Sequence, residues 1–138
     1  MRETTLACLG LLVTLGLTAQ EKPAYDAAEA ALGSSLFKTY CASCHGKGGG
    51  GDGPLAESLR FRPPDLTQLA RRNKGPFPMD QVRRTIDGRT AVKGHGGPDM
   101  PVWGDAFKAT SEGYDEKKVA ERINQLAHFL ASIQVPAN

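Results

Sequence analysis

The chain has 138 residues, and an N-terminal leader of about 20 would leave 118, enough for one domain and one modest core but not for two. Seventeen basic and fifteen acidic residues give a formal charge of +2, and no Gly-rich loop runs into Lys-Ser/Thr, so neither a nucleic-acid stripe nor a phosphate cradle is present. After residue 20, Leu, Ile, Val and Phe number 21, or 18%, below the roughly 20% mark where a chain lacks the means to fill a core, yet the near-neutral charge argues against disorder, so something other than aliphatic side chains is expected inside.

The charged start at Met1 and Arg2 and the 14-residue apolar run Leu6 to Ala19 read as a signal peptide over 1–20. A retained anchor would need about 20 apolar residues, so none is expected after cleavage, and export to the periplasm follows. Leu6-Ala7-Cys8 resembles a lipoprotein site only superficially, because the apolar stretch follows Cys8 instead of preceding it. With Cys8 removed, Cys41 and Cys44 remain in an oxidising compartment. Residues 21–25 read as a tether and 26–138 as the folded domain.

Asp26 can cap a first helix, with Glu29 completing a capping box, and Leu32, Gly33, Leu36, Phe37 and Tyr40 recur at helical spacing, predicting a helix over Ala27–Cys44. Of the 23 Gly and Pro after residue 20, 19 lie between Gly46 and Gly104, so the middle is expected to be mostly loop. Within it, Asp65 can cap a short helix through Leu66, Leu69 and Ala70, and Asp80 another that turns Val82 and Ile86 inward and ends near Gly88. Residues 90–104 read as extended loop. Val119, Ile123, Leu126, Leu130 and Ile133 mark one face of a long terminal helix that stops before Pro136. No segment alternates with the period of a strand, so the expected class is all-α.

Cys41-Ala42-Ser43-Cys44-His45 is C-x-x-C-H, the attachment pattern of a c-type haem. On a helix this spacing puts both thiols on one side, each able to form a thioether to a vinyl group, while the imidazole reaches the iron. A thioredoxin-like pair would need a βαβ pattern, and a zinc site a second close pair of ligands, whereas His95 and His128 stand 33 residues apart. A plain disulfide would not require His45. A covalent porphyrin also accounts for the thin aliphatic core.

The sequence resembles the class I c-type cytochromes. The resemblance rests on Gly33, Phe37 and Cys41 to Gly46, on Gly53-Pro54-Leu55, on Asp99-Met100-Pro101-Val102-Trp103-Gly104, and on Leu126 with Phe129. It implies one covalently bound haem c per chain, wrapped by crossed N- and C-terminal helices, shorter helices and long loops. It further implies Gly33 at the crossing, with Phe37 against Leu126 and Phe129.

The second axial position has four candidates: Met79, Met100, His95 and His128. His128 lies two residues, about 200°, beyond Leu126 and is read as a surface histidine. Met100 stands between Pro98 and Pro101, beyond Gly96 and Gly97, in a Met-Pro pair that resembles the family's distal motif. Met79 is the weaker thioether, and His95 would give bis-His ligation with a lower potential. The resemblance also suggests the Pro54 carbonyl as acceptor for the His45 ring N–H, with Pro63 and Pro64 as rivals, and the Trp103 indole as donor to a haem propionate. Arg71, Arg72, Lys74, Arg83, Arg84, Arg89 and Lys93 could form a positive collar for redox protein partners.

The expected protein is thus a secreted monohaem carrier of single electrons with His45 and Met100 as axial ligands. It is not expected to be an enzyme, to bind nucleic acid or to take a small-molecule substrate. Two alternatives remain open: an electron-transfer subunit of a larger dehydrogenase or oxidase, and a haem enzyme or ligand-binding protein with an open iron site.

Overall fold

The computed structural model describes residues 25–89, 100–110 and 115–136. The expected signal peptide, the first tether residues, His95 with Gly96, Gly97 and Pro98, and Lys93 lie outside the described residues. Six helices follow in order: α1 (Ala27–Tyr40), α2 (Ala42–His45), α3 (Leu69–Arg72), α4 (Met79–Asp87), α5 (Trp103–Lys108) and α6 (Glu116–Ser132), with 3₁₀ turns at Ala56–Ser58 and Leu66–Gln68. The described residues contain no strand, and none of their helices is long and apolar enough to cross a membrane.

The frame is the crossing of α1 and α6. At Gly33 a Cβ would run into the Gln125 carbonyl oxygen and stand 2.9 Å from Phe129 Cβ, so only a residue without a side chain lets the two backbones approach this closely. Phe37 fills the angle beside the crossing. Its ring centroid lies 5.0 Å from that of Phe129, and it packs in the core with Leu126, each only 1% exposed. Val119, Ile123 and Leu130 continue the buried face of α6, and Val82, Ile86 and Phe107 bring α4 and α5 against it.

Asp26 caps α1 as expected, its Oδ1 accepting from the N–H groups of Ala28 and Glu29 at 2.8 and 3.0 Å. The Asp26 N–H, which a capping box hands to its third residue, donates here to His128 Nδ1 at 3.0 Å. His128 is therefore a half-buried link between α6 and the start of α1, and not the surface residue its helical angle suggested. The crossing carries the first turn of α1 over that side of α6.

Three other expectations are corrected. The first helix stops at Tyr40 instead of running to Cys44: Cys41 leaves helical geometry (φ −117°), and a separate turn, α2, begins after it. Pro78, not Asp80, caps α4, because the Pro78 carbonyl already accepts from the Val82 N–H at 3.0 Å. Asp80 then sits within the first turn and pairs with Arg83 at 3.0 Å. The chain from Trp103 onward is helix, not loop, since Trp103 and Phe107 stand one turn apart and bury a shared face.

Candidate haem-binding site

The C-x-x-C-H turn is fixed almost wholly by backbone. The His45 N–H donates to the Cys41 carbonyl at 2.9 Å, Gly46 to Ala42 at 2.9 Å and Gly51 to His45 at 2.9 Å, while Leu55 returns to Ser43 at 2.9 Å. These bonds close the chain on itself, so that Cys41, Cys44 and His45 all face one cavity of about 310 Å³. That volume is within the range of small-ligand sites, and the lining is mostly apolar, as such sites are.

The cavity lies between two walls. Phe37, Tyr40, Leu126 and Leu130 form the helical side, together with Val82, Thr85 and Ile86 of α4. Leu59, Phe61, Pro63, Pro64, Leu66 and Leu69 form the looped side. Met100, Pro101 and Trp103 line the same space. The Trp103 ring packs against Tyr40 (5.5 Å between centroids) and Phe107 (5.3 Å), which holds the start of α5 at the cavity.

Burial pushes the Cys41 thiol up to about 12, with the neighbouring Cys44 charge adding to the effect. A free thiolate here would be costly, which disfavours a redox pair. An uncharged thioether carries no such cost. Among the described residues no cluster of three or more His, Cys, Asp or Glu could hold a bare metal ion. A largely apolar space lined by two thiols, an imidazole and a thioether fits a covalently attached haem.

Of the sequence-predicted residues, Cys41, Cys44, His45, Met100 and Trp103 come together at this cavity. Met79 is half-buried and packs against the core cluster. Pro54 is exposed and borders a separate groove with Ala42, Ser43 and Gly53, whereas its rivals Pro63 and Pro64 line the main cavity.

The positive collar divides. Arg71, Arg72 and Lys74 are exposed, and Arg72 borders the cavity. Arg83 is bound to Asp80 and, at 2.5 Å, to Asn124, while Arg89 is held by Asp87 and Glu116.

Sequence reasoning missed the part of the looped wall before Pro63. Phe61, 51% exposed, with the Arg60 guanidinium 5.3 Å from its centroid, and Arg62 beside it carry no periodicity that would mark them as cavity residues. Phe107 could have been found, since it follows Trp103 by four.

Residues 28–116 match the model of the family described as cytochrome c oxidase, cbb3-type, subunit III, a class I c-type cytochrome domain. The chain belongs to this family. The matched span includes Cys41, Cys44, His45 and Met100, and with it the cytochrome c domain brings haem c and haem-based electron transfer. Comparison with curated proteins and with solved structures gives no match.

Proposed function

We propose that this cytochrome is an exported single-haem electron carrier in which Cys41 and Cys44 form the thioethers and His45 and Met100 are the axial ligands. The observation that supports it is the convergence of these four side chains on one largely apolar cavity. When bound, the haem supplies a one-electron Fe²⁺/Fe³⁺ couple.

The chain's own contribution is to hold and to exclude. The backbone bonds of the attachment turn fix His45, and the Pro54 carbonyl, in the segment Gly53 to Leu55 that is bonded to Cys44 and Ser43, would accept the imidazole N–H and set its tautomer. Met100, followed by Pro101, offers a thioether that needs no deprotonation to bind a soft ferrous centre. Trp103 would donate its indole N–H to a propionate. The apolar walls would keep water from a bound haem and so favour a higher potential. With His45 and Met100 both holding the iron, no open site would remain for a substrate, and the protein would act as a carrier and not as an enzyme. A signal peptide over residues 1–20 would place it in the periplasm, and Arg72 at the cavity, with the exposed Arg71 and Lys74 close to it in sequence, favours an acidic redox partner.

Replacing Met100 with Ala tests this reading. The ferric protein should lose its weak sulfur-to-iron absorption band, show a lower potential and bind cyanide, while Met79→Ala should change none of these. An unchanged spectrum and potential in the Met100 variant, with both altered by His95→Ala, would refute His/Met ligation. The family's description also favours a second setting, a subunit of a larger oxidase. Copurification with such a complex separates this from a free shuttle.

A further inference from the structure

Where α4 ends, four charged side chains gather outside the cavity. The Arg89 Nε donates to Asp87 Oδ1 at 2.6 Å and its Nη2 to Asp87 Oδ2 at 3.1 Å, while Nη1 reaches both carboxylate oxygens of Glu116 at 3.0 and 2.9 Å. Lys108 pairs with the same Glu116. The bond from Lys108, then that from Arg89, holds the Glu116 carboxyl below the usual range, and Asp87 together with Glu116 raises Arg89.

One guanidinium therefore joins the end of α4 to the first turn of α6. Its seat is on α5: a Cβ at Gly104 would run into Asp87 Oδ1 and Arg89 Nε and stand 2.9 Å from Arg89 Cδ. The neighbouring backbone is pinned as well. Gly88, left-handed at φ 70°, lies so close to Val102 that a Cβ on it would be 3.2 Å from the Val102 Cα. Residues 88 and 89 are thus fixed to residues 102 and 104, and Met100 stands two residues before the first of these contacts.

We infer that Arg89, bridging Asp87 and Glu116 across Gly104, is a positioning residue that keeps Met100 on the iron-facing side of the cavity. The inference rests on Met100 being the axial ligand. Single exposed ion pairs contribute little, but a forked guanidinium with two carboxylate partners on different helices fixes orientation as well as distance. Its loss should free the α4–α5 contact and raise the fraction of molecules whose thioether is off the iron.

Cyanide added to the ferric holoprotein measures that fraction, because apparent affinity scales with the population able to bind. Arg89→Gln should tighten apparent cyanide binding about tenfold, Glu116→Gln and Gly104→Ala should shift it the same way, and Arg89→Lys should lie between Arg89→Gln and the parent. Arg83→Gln, which breaks contacts to Asp80 and Asn124 instead, should match the parent. Met100→Ala sets the upper limit. Parent-like cyanide affinity in both Arg89→Gln and Glu116→Gln, with Met100→Ala binding readily, would overturn the role of Arg89 alone. Parent-like affinity in Met100→Ala would overturn the ligand assignment and this inference with it. Should Arg89→Gln fail to yield haem protein, Glu116→Gln decides in the same way.

Discussion

The two walls of the cavity are held by different physics. On the helical wall, α1 and α6 meet through side chains spaced three or four apart, and the attachment turn is bonded within 15 residues, from Cys41 to Leu55. On the looped wall, Leu59 to Leu69 contains only one short 3₁₀ turn before α3 begins, and its ties run to distant chain. The Leu66 N–H donates to Gly49 at 2.7 Å and the Val135 N–H to Thr67 at 3.0 Å. The Gln134 amide donates to the carbonyls of Leu66 and Leu130 at 2.8 and 2.7 Å and accepts from the Ala70 N–H at 2.9 Å. The helical wall is a side-chain crossing of the two terminal helices, while the looped wall is an apolar surface clipped onto the chain just beyond α6. Such a surface is stable only when something covers it.

The largest expected effect follows from that dependence. A Cys41→Ser, Cys44→Ser chain made without haem leaves both walls facing an unfilled space, and 21 large apolar residues in the 118 after residue 20 are too few to offset the ordering of so much loop. Its circular dichroism should show little helix. A cooperative, near-native melt would mean that the walls support each other without the cofactor, and the contrast between them would fail.

The helical wall can be tested alone at Gly33. An Ala there would overlap the Gln125 carbonyl and bring its Cβ to 2.5 Å from the carbonyl carbon, which is backbone and cannot swing aside. We expect a loss of about 3 kcal/mol in denaturant unfolding of the holoprotein, with the axial-ligand spectrum retained in the fraction that folds. A loss under about 0.5 kcal/mol would show that α1 and α6 slide past each other freely, and that the wall is less rigid than its packing implies.

The same contrast explains what was legible beforehand. Asp26 and the C-x-x-C-H turn act through short spacings, so the start of α1 and the attachment side could be read from the order of residues, whereas the crossing at Gly33, Phe37 and Leu126 came from the family resemblance. The break at Cys41 could not. A helical repeat continues through it, and the bonds that hold the following turn, Gly51 to His45 and Leu55 to Ser43, come from residues beyond the motif. Gln134 was invisible for another reason: it acquires its place from a partner far along the chain, Leu66, 68 residues away. The charge network of Arg89 is of this kind too. Arg89 was read as one of a run of surface cations, whereas its partner Glu116 lies 27 residues away.

Gln134 provides the next smaller effect. Replacing it with Ala removes three hydrogen bonds and leaves the Ala70 N–H and the Leu66 carbonyl to find water, for a loss of about 2 kcal/mol. Hydrogen exchange should quicken at Ala70, whose amide that side chain binds, while amides in the middle of α1 keep their protection. If exchange quickened equally in α1, the two walls would open as a unit and the comparison would need to be redrawn.

The smallest effect lies at Asp65, which caps the looped wall at Leu66. Its Oδ1 accepts from the Thr67 N–H at 2.9 Å and from the Thr67 hydroxyl at 2.6 Å. The hydroxyl bond, the backbone bond and the charge of Arg72 outweigh partial desolvation and hold the carboxyl below its ordinary value of 3.8. A depressed folded value means that the fold favours the ionised form. The contribution is therefore complete above the ordinary value and is lost as pH falls through the lower, folded one. Asp65→Ala should cost about 1 kcal/mol near neutral pH, and the gap from the parent should narrow in acid, below about pH 4, when both are unfolded with urea. Asp65→Asn separates cap from charge: Asn caps well, so it should lose less near neutrality and approach the parent in acid. A gap for Asp65→Ala that stayed constant down to about pH 2 would assign the whole effect to cap geometry. No gap at neutral pH would show that Leu66 is held by Gly49 and Gln134 alone, which would make the looped wall more dependent on α6 than its own cap suggests.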